Sequence, residues 1–325
     1  MFITDDLKKK FVRDVGVPIK VLEEPYFSHY LDLYEEEFQS KTKWDEFMEF
    51  LQLFEDADDY FEKYNEVKDA AIAYLKSQPK LTYFRQNEDM NKYSIKNINI
   101  PKSGIYKEDN VGKYFVSIDM KKANFTALRY YDPEIFDYAE TYEEFVKKFT
   151  KHEYLIKSKH IRQVIMGNVV TKRVGTYEKY LMDSVLSELL EILPIGVEEV
   201  AFFGDDEIVI DISKFVIDEV INENVEFAIS KVINSQRSHG IDLSKEYFLL
   251  CRLEGTKGYL KEYIEPTSKL KKHEIKCVDA VAMPFVIRMM KGAVPDEKDS
   301  VYVDSEGNLV KLIRPYKVSI RKCQH

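Results

Sequence analysis

The chain has 325 residues, of which 45% are hydrophobic and 32% are charged, and its formal net charge is −9. This composition is typical of a folded globular protein, and the length suffices for one large domain or two ordinary ones. No apolar run approaches the ~18–20 residues of a membrane span, and the N-terminus lacks the apolar core of a signal peptide. The three cysteines lie far apart, which favours neither a zinc cluster nor a disulfide framework. We therefore expect a cytoplasmic, reducing setting and no membrane association.

The negative charge is concentrated near the N-terminus. Residues 1–70 carry 19 acidic and 9 basic side chains, and the remainder is close to neutral. Two later stretches, 151–173 and 311–322, are basic, as expected either of contacts to a phosphate backbone or of solvated helix faces. The acidic region would repel a phosphate backbone, so we expect it on the outside, where it could bind a protein partner.

The N-terminal pattern is helical. Within residues 28–75, Trp44, Phe47, Phe50 and Leu51 recur at three- and four-residue steps, which predicts acidic amphipathic helices. A break follows at 77–79. Residues 80–110 are polar and rich in Asn, and they predict an extended connection or a strand-and-loop region.

From residue 113 onward the pattern becomes that of a sheet with helices. The segment KYFVSIDM (113–120) predicts a short buried strand, and EEVAFFGDDEIVIDI (198–212) predicts a hairpin with a charged tip. Helices are predicted over 133–149, 157–193, 214–237 and 277–293, strands over 246–254 and 258–266, and a closing hairpin around 306–308. The expected fold class is α+β, a sheet backed by helices.

Three acids carry the predicted chemistry. Asp119 ends the first strand, and Asp205 and Asp206 occupy the hairpin turn. If strand and hairpin are neighbours in one sheet, their carboxylates converge, which is unfavourable unless cations bind there. Magnesium prefers oxygen ligands, and a pair of such ions can stabilise an in-line displacement at phosphorus. The pattern predicts phosphoryl or nucleotidyl transfer with Mg²⁺, or Mn²⁺, as cofactor. The plain alternative is an ordinary Asp-Asp turn.

Three segments resemble the motifs of right-hand nucleic-acid polymerases. FFGDDEIVI (202–210) resembles their motif C hairpin, and YFVSIDMKKANFTAL (114–128) resembles motif A, a strand ending in the first metal-binding Asp. MGNVVTKRVG (166–175) resembles the Gly-x-x-x-Thr of motif B in RNA-dependent RNA polymerases, with Met166 replacing the usual Ser and Gly175 the expected Asn. Motif A and KHIRQVIMGN (159–168), which is similar to a fingers helix, also resemble family A DNA polymerases. The resemblance covers roughly residues 113–265.

The resemblance implies a palm-type antiparallel sheet (RRM-like) over residues 111–266. An acidic helical region, fingers-like or partner-binding, would precede it over 1–110, and a thumb-like region would follow over 267–325. Asp119, Asp205 and Asp206 would be the catalytic metal ligands. Substrate would be bound by Lys159 and Arg162 at the triphosphate, by Asn124 at the sugar, by Gly167 of motif B and by Lys257 at the pyrophosphate. The plain alternatives are a solvated helix face for Lys159 and Arg162, a helix cap for Asn124, and a turn lysine for Lys257.

The function implied is a template-directed polymerase, compact and of viral or phage type, that binds nucleoside triphosphates and a DNA or RNA template with its primer. Palm folds also occur outside polymerases, so fold alone does not determine the activity. A palm-type nucleotide cyclase, another template-independent nucleotidyltransferase and a non-catalytic nucleic-acid-binding palm derivative therefore stay open.

Overall fold

The computed structural model describes residues 3–97, 100, 104–264 and 273–322. Its N-terminal part is helical. The helices there are α1 (Asp5–Val15), α2 (Tyr26–Phe38), α3 (Ser40–Leu51), α4 (Ala57–Ser77) and α5 (Pro79–Gln86). Local capping fixes their ends: at α1, the Thr4 hydroxyl accepts a hydrogen bond from the backbone N–H of Leu7, and Gly16 ends the helix in the left-handed conformation.

The rest of the chain alternates between strands and helices. The strands are β1 (Tyr114–Met120), β2 (Val200–Phe203), β3 (Glu207–Asp211), β4 (Val216–Ile217), β5 (Val220–Ile221), β6 (Leu243–Glu254), β7 (Tyr259–Tyr263), β8 (His273–Lys276), β9 (Val301–Val303), β10 (Leu309–Lys311) and β11 (Ser319–Arg321). The helices are α6 (Ala123–Tyr131), α7 (Tyr142–Val146), α8 (Glu153–Lys157), α9 (Lys159–Gly167), α10 (Lys172–Ile192), α11 (Glu223–Ser238) and α12 (Met283–Met290).

The main sheet is antiparallel and has β1 near its centre. Its strand order is β2-β3-β1-β6-β7-β8, and β11 pairs with the last part of β6. Strands β2, β3, β1 and β6 of this sheet follow one another along the chain as β1, β2, β3 and β6. Helices lie between β1 and β2, and α11 lies between β3 and β6. This arrangement of a sheet with interspersed helices confirms the predicted α+β class.

The two faces of the sheet have different surroundings. Side chains alternate along a strand, so Val116, Ile118 and Met120 of β1 share one face, and they are buried in the same hydrophobic cluster as the apolar side chains of α6, α10 and α11. Each fully buried aliphatic or aromatic side chain there stabilises the fold by roughly 1.5–3 kcal/mol. The other face carries Phe115, Ser117 and Asp119, and its smaller apolar cluster is completed by Ile105 and Val111.

The N-terminal helices pack against later parts of the chain. Helices α1 and α4 contact α9, and α2 contacts α12. One continuous hydrophobic cluster contains buried residues from Leu7 to Ile287, so all three predicted regions contribute to the same core. Their division near residues 110 and 266 stays a prediction. No helix in the described parts of the chain has the length and apolar character needed to cross a membrane.

Several local predictions are confirmed and others need correction. The acidic helices, the strand at 113–120, the hairpin at 198–212 and the closing hairpin are confirmed, as is the end of a helix before Pro194. Residues 80–110 are predicted to be an extended connection or a strand-and-loop region, but their described part contains most of α5 and two short 3₁₀ turns. The helix predicted over 157–193 is interrupted between α9 and α10, and the one predicted over 133–149 is reduced to a 3₁₀ turn and α7. Residues 265 and 266 of the last predicted strand lie outside the described residues.

Candidate active site

The sheet brings Asp119 and the hairpin turn to the same edge. Asp119 lies opposite Glu207 of β3 and Ser244 of β6 in the strand register. The backbone N–H of Met120 donates to the carbonyl oxygen of Asp206 at 2.8 Å. The ladder therefore extends from the end of β1 into the Asp205-Asp206 turn, as the sequence predicts for the two motifs.

Gly204, the residue that precedes the two acids, closes the turn. The N–H of Gly204 donates to the carbonyl of Glu207 at 2.8 Å and closes a two-residue loop. A Cβ at Gly204 would lie 2.8 Å from the ring of Phe202 and 3.4 Å from the Glu207 carbonyl oxygen. Glycine avoids this close approach, whereas a larger residue would require the partly exposed Phe202 ring to move.

Helix α10 supports the hairpin from behind. The Lys179 ammonium donates to the carbonyls of Phe203 and Gly204, at 2.7 and 3.1 Å, and lies 3.9 Å from the centre of the Phe203 ring. A Cβ at Gly175 would lie 3.2 Å from Oδ2 of Asp205. The helix therefore approaches the Asp205 carboxylate closely at a position where it has no side chain.

A fourth acid, Glu178 of α10, joins the carboxylates of the turn. Its side chain is buried, and its Oε1 has no hydrogen-bond partner among the described residues. Burial, together with the negative charges of Asp206 and Asp205, raises the pKa of Glu178 to about 7. Loss of hydration, with Glu207 and Asp205 nearby, also raises the pKa of Asp206, although that residue is exposed overall. The cluster thus concentrates negative charge that a cation would offset.

One cavity connects Asp205 and Glu178 to segments of the other predicted motifs, whereas Asp119 and Asp206 are not among the residues that line it. It has a volume of about 550 Å³, within the range of small-molecule sites; we call it the Asp205 cavity. Its lining includes Asn124 from α6, Thr171, Lys172, Gly175, Glu178 and Lys179 around α10, and Asp205 from the hairpin. Segments resembling motifs A, B and C therefore meet at one cavity, although they are separated along the chain.

The entrance to α10 has free donors. Thr171 occupies the N-cap position, but its side chain makes no capping hydrogen bond, and its Oγ1 is buried without a partner among the described residues. Unpaired backbone N–H groups and the helix dipole make such an N-terminus favourable for anions. Lys172 lines the cavity beside it. This end of the cavity is suited to phosphate oxygens.

The other predicted substrate residues do not all reach this cavity. Gly167 is exposed at the end of α9 and is not among the residues that line it. Lys159 lines a separate cavity of about 650 Å³, with Asp14 and Phe50. Arg162 also lies outside the lining, with its guanidinium carbon 5.9 Å from the Tyr142 ring. The predicted triphosphate role of Lys159 and Arg162 is therefore not supported, because α9 packs against the N-terminal helices.

Lys257 requires a clearer correction. It lies in the turn after β6, whereas the acids lie near the start of that strand, where Ser244 pairs with Asp119. Ten residues of strand separate Ser244 from Glu254, about 33 Å at roughly 3.3 Å per residue. A lysine side chain cannot span this distance, so Lys257 does not act at the carboxylates.

A buried lysine on the same face of the sheet as Phe115 and Asp119 was not predicted. Lys261 of β7 is 4% exposed, and its ammonium lies 4.5 Å from the centre of the Phe248 ring. Burial lowers the pKa of Lys261, while the negative charges of Glu207, Glu274 and Asp119 oppose that effect. The alternation along β7 could have indicated this inward position, but a charged residue there gives no apolar signal.

The donor set agrees with a hard cation held jointly with substrate. In the part of the chain that the structure describes, no group of three or more His, Cys, Asp or Glu side chains could hold a metal ion. Magnesium, however, usually takes one or two carboxylates and completes its shell with water and substrate phosphates. The oxygen-only donors, their mutual repulsion and the unpartnered Glu178 oxygen fit such an ion.

Comparison with known proteins gives no relative. No protein-family model matches the chain, and neither a curated protein nor a solved structure shows significant similarity to it. The functional argument therefore depends on the site itself.

Proposed function

We propose that the chain is a metal-dependent nucleotidyltransferase of the polymerase palm type, which extends a primer along a DNA or RNA template. The observation that carries this proposal is the Asp205 cavity, where the segments resembling the three polymerase motifs meet. The order β1, helix, β2, β3, α11, β6, with strand sequence β2-β3-β1-β6, supports an RRM-like palm, because it is the βαββαβ arrangement.

Each residue of the site has a defined part in this proposal. Asp119 and Asp205 hold Mg²⁺ or Mn²⁺, and Asp206 assists. The bound ions would stabilise the charge that develops on the phosphates during transfer. Thr171 and the N-terminus of α10 bind phosphate oxygens, with Lys172 as a further cation. Asn124 faces the sugar. Gly175 leaves the Asp205 carboxylate free to turn toward the substrate.

Substitution of the metal-binding acids tests the proposal. We expect Asp119→Asn and Asp205→Asn each to reduce incorporation of radiolabelled nucleotide on a primed template by at least ~10²-fold, because an amide cannot balance the cation charge. Asp206→Asn should be milder. The matched control is Asp218→Asn, in the exposed β4-β5 turn beside Tyr114 at the other end of β1. Circular dichroism checks that the variants fold.

The outcomes separate the candidate functions. Full activity of Asp119→Asn or Asp205→Asn in Mg²⁺ would refute the palm assignment. Metal-dependent turnover of nucleoside triphosphates without template would instead favour a cyclase or another template-independent nucleotidyltransferase. Absence of any turnover with DNA or RNA templates, and with either set of triphosphates, would favour a binding protein.

A further inference from the structure

A segment far upstream of the sheet forms part of the Asp205 cavity wall. Tyr93, Ser94 and Ile95 line the cavity together with Asn124 and Asp205. None of the three belongs to a segment that resembles a polymerase motif. The N-terminal region therefore contributes directly to the proposed active site.

Tyr93 is held in place from several sides. Its hydroxyl donates to the Glu88 carboxylate at 3.2 Å. Its ring packs edge-on against Tyr177 and Tyr180 of α10, with centroids 4.7 and 5.3 Å away. Burial, with the Glu88 charge, raises the pKa of Tyr93 to about 12, so the hydroxyl stays a donor at neutral pH. A ring fixed in this way loses little conformational freedom when a ligand stacks on it.

The remainder of this wall is anchored by one buried acid. The Asp183 carboxylate of α10 accepts hydrogen bonds from the backbone N–H groups of Lys96 and Asn97, at 2.8 and 3.0 Å, and from the Asn97 side chain at 2.9 Å. Asp183 is 4% exposed. Asp183 thus fixes one end of the segment to the helix that carries Gly175 and Glu178, and at the other end the backbone carbonyl of Glu88 accepts a hydrogen bond from Arg173 of the same helix at 2.6 Å.

We propose that Tyr93 provides the stacking surface for the base of the nucleoside triphosphate in the Asp205 cavity, with Glu88 and Asp183 as positioning residues. This inference rests on the proposed function. An aromatic ring stacks on every base with little preference for its identity, which suits an enzyme that must accept four nucleotides. The phosphates would extend toward Thr171 and Lys172, and the base would lie toward Tyr93.

Binding of ATP and of inorganic tripolyphosphate, each with Mg²⁺, tests the inference by calorimetry. Tripolyphosphate has the phosphates but no base. Tyr93→Leu should weaken ATP binding about tenfold, within the range measured for base–aromatic stacking, and leave tripolyphosphate binding unchanged. Tyr93→Phe keeps the ring but loses the hydrogen bond to Glu88, so it should weaken ATP binding much less than Tyr93→Leu does. The control is Tyr83→Leu, an exposed tyrosine of α5 outside the cavity lining.

Equal ATP affinity in wild type and Tyr93→Leu, or equal losses for ATP and tripolyphosphate, would overturn the inference while leaving the proposed function standing. A wild-type protein that binds neither ligand would overturn both. If Tyr93→Leu does not fold, 2-aminopurine riboside triphosphate decides: its fluorescence should be quenched on binding to wild type, and unquenched binding would contradict stacking. Asp183→Asn should lower the ratio of ATP to tripolyphosphate affinity, a change that loss of stability alone would not cause.

Discussion

At the scale of single residues, Glu178 is a carboxyl group whose pKa changes when the chain folds. Its pKa is about 7 in the folded protein, against an ordinary value of 4.5. The folded state therefore binds this proton more tightly than the unfolded state does, and the free energy of unfolding decreases as pH rises from about 4.5 to about 7. Once the pH is above 7, the stability lost amounts to about 3 kcal/mol.

Glu178→Gln removes this ionisation and should therefore stabilise the protein at high pH. We expect urea unfolding in EDTA to give a larger free energy for the variant than for wild type at pH 8, and no comparable gain at pH 4.5. A difference that does not change between these two pH values would contradict the assignment. Glu188→Gln, on the same helix but outside the lining of the Asp205 cavity, is the control.

A second prediction at this scale concerns Asn124 and the choice between ribonucleotides and deoxyribonucleotides. It lines the Asp205 cavity, and its short side chain leaves room for a 2′-hydroxyl and offers it a hydrogen bond. We expect wild type to discriminate weakly against ribonucleotides, within the roughly 5- to 150-fold that one hydrogen bond of about 1–3 kcal/mol provides.

Asn124→Tyr or Asn124→Phe should then depress CTP incorporation far more than dCTP incorporation, because a large ring would clash with the 2′-hydroxyl. The measurement is kcat/KM for both substrates on one template. Asn65→Tyr, on the exposed surface of α4, is the matched control. A CTP-to-dCTP ratio that stays within about twofold of wild type would mean that Asn124 does not face the sugar.

At the scale of elements, the predictions succeeded where a pattern is local. β1 and the β2-β3 hairpin have dense β-branched and aromatic residues, and the charged turn marks their boundary. Helix α5 was missed because eight residues with only Leu81 and Phe84 buried are too few to show a helical period. The break between α9 and α10 was missed because Val169 is fully buried and Val170 partly so, which continues the apolar pattern across a non-helical link.

The geometry of the candidate site was only partly predictable for a related reason. Asp119, Asp205 and Asp206 were found because each belongs to a recognisable motif. Tyr93 and Glu178 belong to no motif. Glu178 is a residue of α10, and Tyr93 reaches the site because it packs against that helix. The approach of segment 93–97 to Asp183 joins residues about 90 positions apart, which sequence periodicity does not report.

Helix α10 offers a test that separates stability from activity. A glycine within a helix is less stable than alanine by about 1 kcal/mol, yet Gly175 lies where a Cβ would approach Asp205 Oδ2 to 3.2 Å. Because Asp205 is exposed, its carboxylate can shift by a few tenths of an ångström. We expect Gly175→Ala to keep or slightly raise the melting temperature while lowering kcat at least several-fold.

The control for this substitution is Gly167→Ala, at a helical glycine where a Cβ would have nothing within 4 Å. Its melting temperature should be equal to or above that of wild type, and its kcat should be unchanged. If Gly175→Ala also kept full activity, the close approach of α10 would have no role in orienting Asp205.

At the scale of the whole molecule, the basic C-terminal stretch does not extend the candidate site. Strand β11 pairs with the end of β6, near Glu254 and far from Asp119. Arg321 pairs with Glu254 and Glu108, and Lys322 pairs with Glu262. These cations are paired with acids at the end of the sheet that lies far from Asp119. The positive charge of residues 311–322 is therefore only partly available to a phosphate backbone.

The N- and C-terminal parts of the chain are joined through Asp299. Its buried carboxylate accepts hydrogen bonds from His29 Nε2 of α2 at 2.7 Å, Arg288 Nε of α12 at 2.9 Å and the backbone N–H of Asp296 at 2.7 Å. Burial opposes ionisation, but these donors outweigh it and lower the pKa of Asp299. The stability that the carboxylate provides is therefore present above its ordinary pKa of 3.8 and is lost as pH falls through the lower folded value.

Asp299→Asn should accordingly destabilise the protein by about 3–5 kcal/mol at pH 7, because it leaves the Arg288 cation without its buried partner. Denaturant unfolding at pH 7 and at pH 3 measures the effect, and the difference from wild type should shrink at the lower pH. Glu306→Gln, an exposed acid in the β9-β10 turn, should change stability by no more than about 0.5 kcal/mol. Because the acid links α2 to α12, a loss below 1 kcal/mol would mean that the shared hydrophobic core alone holds the two ends together.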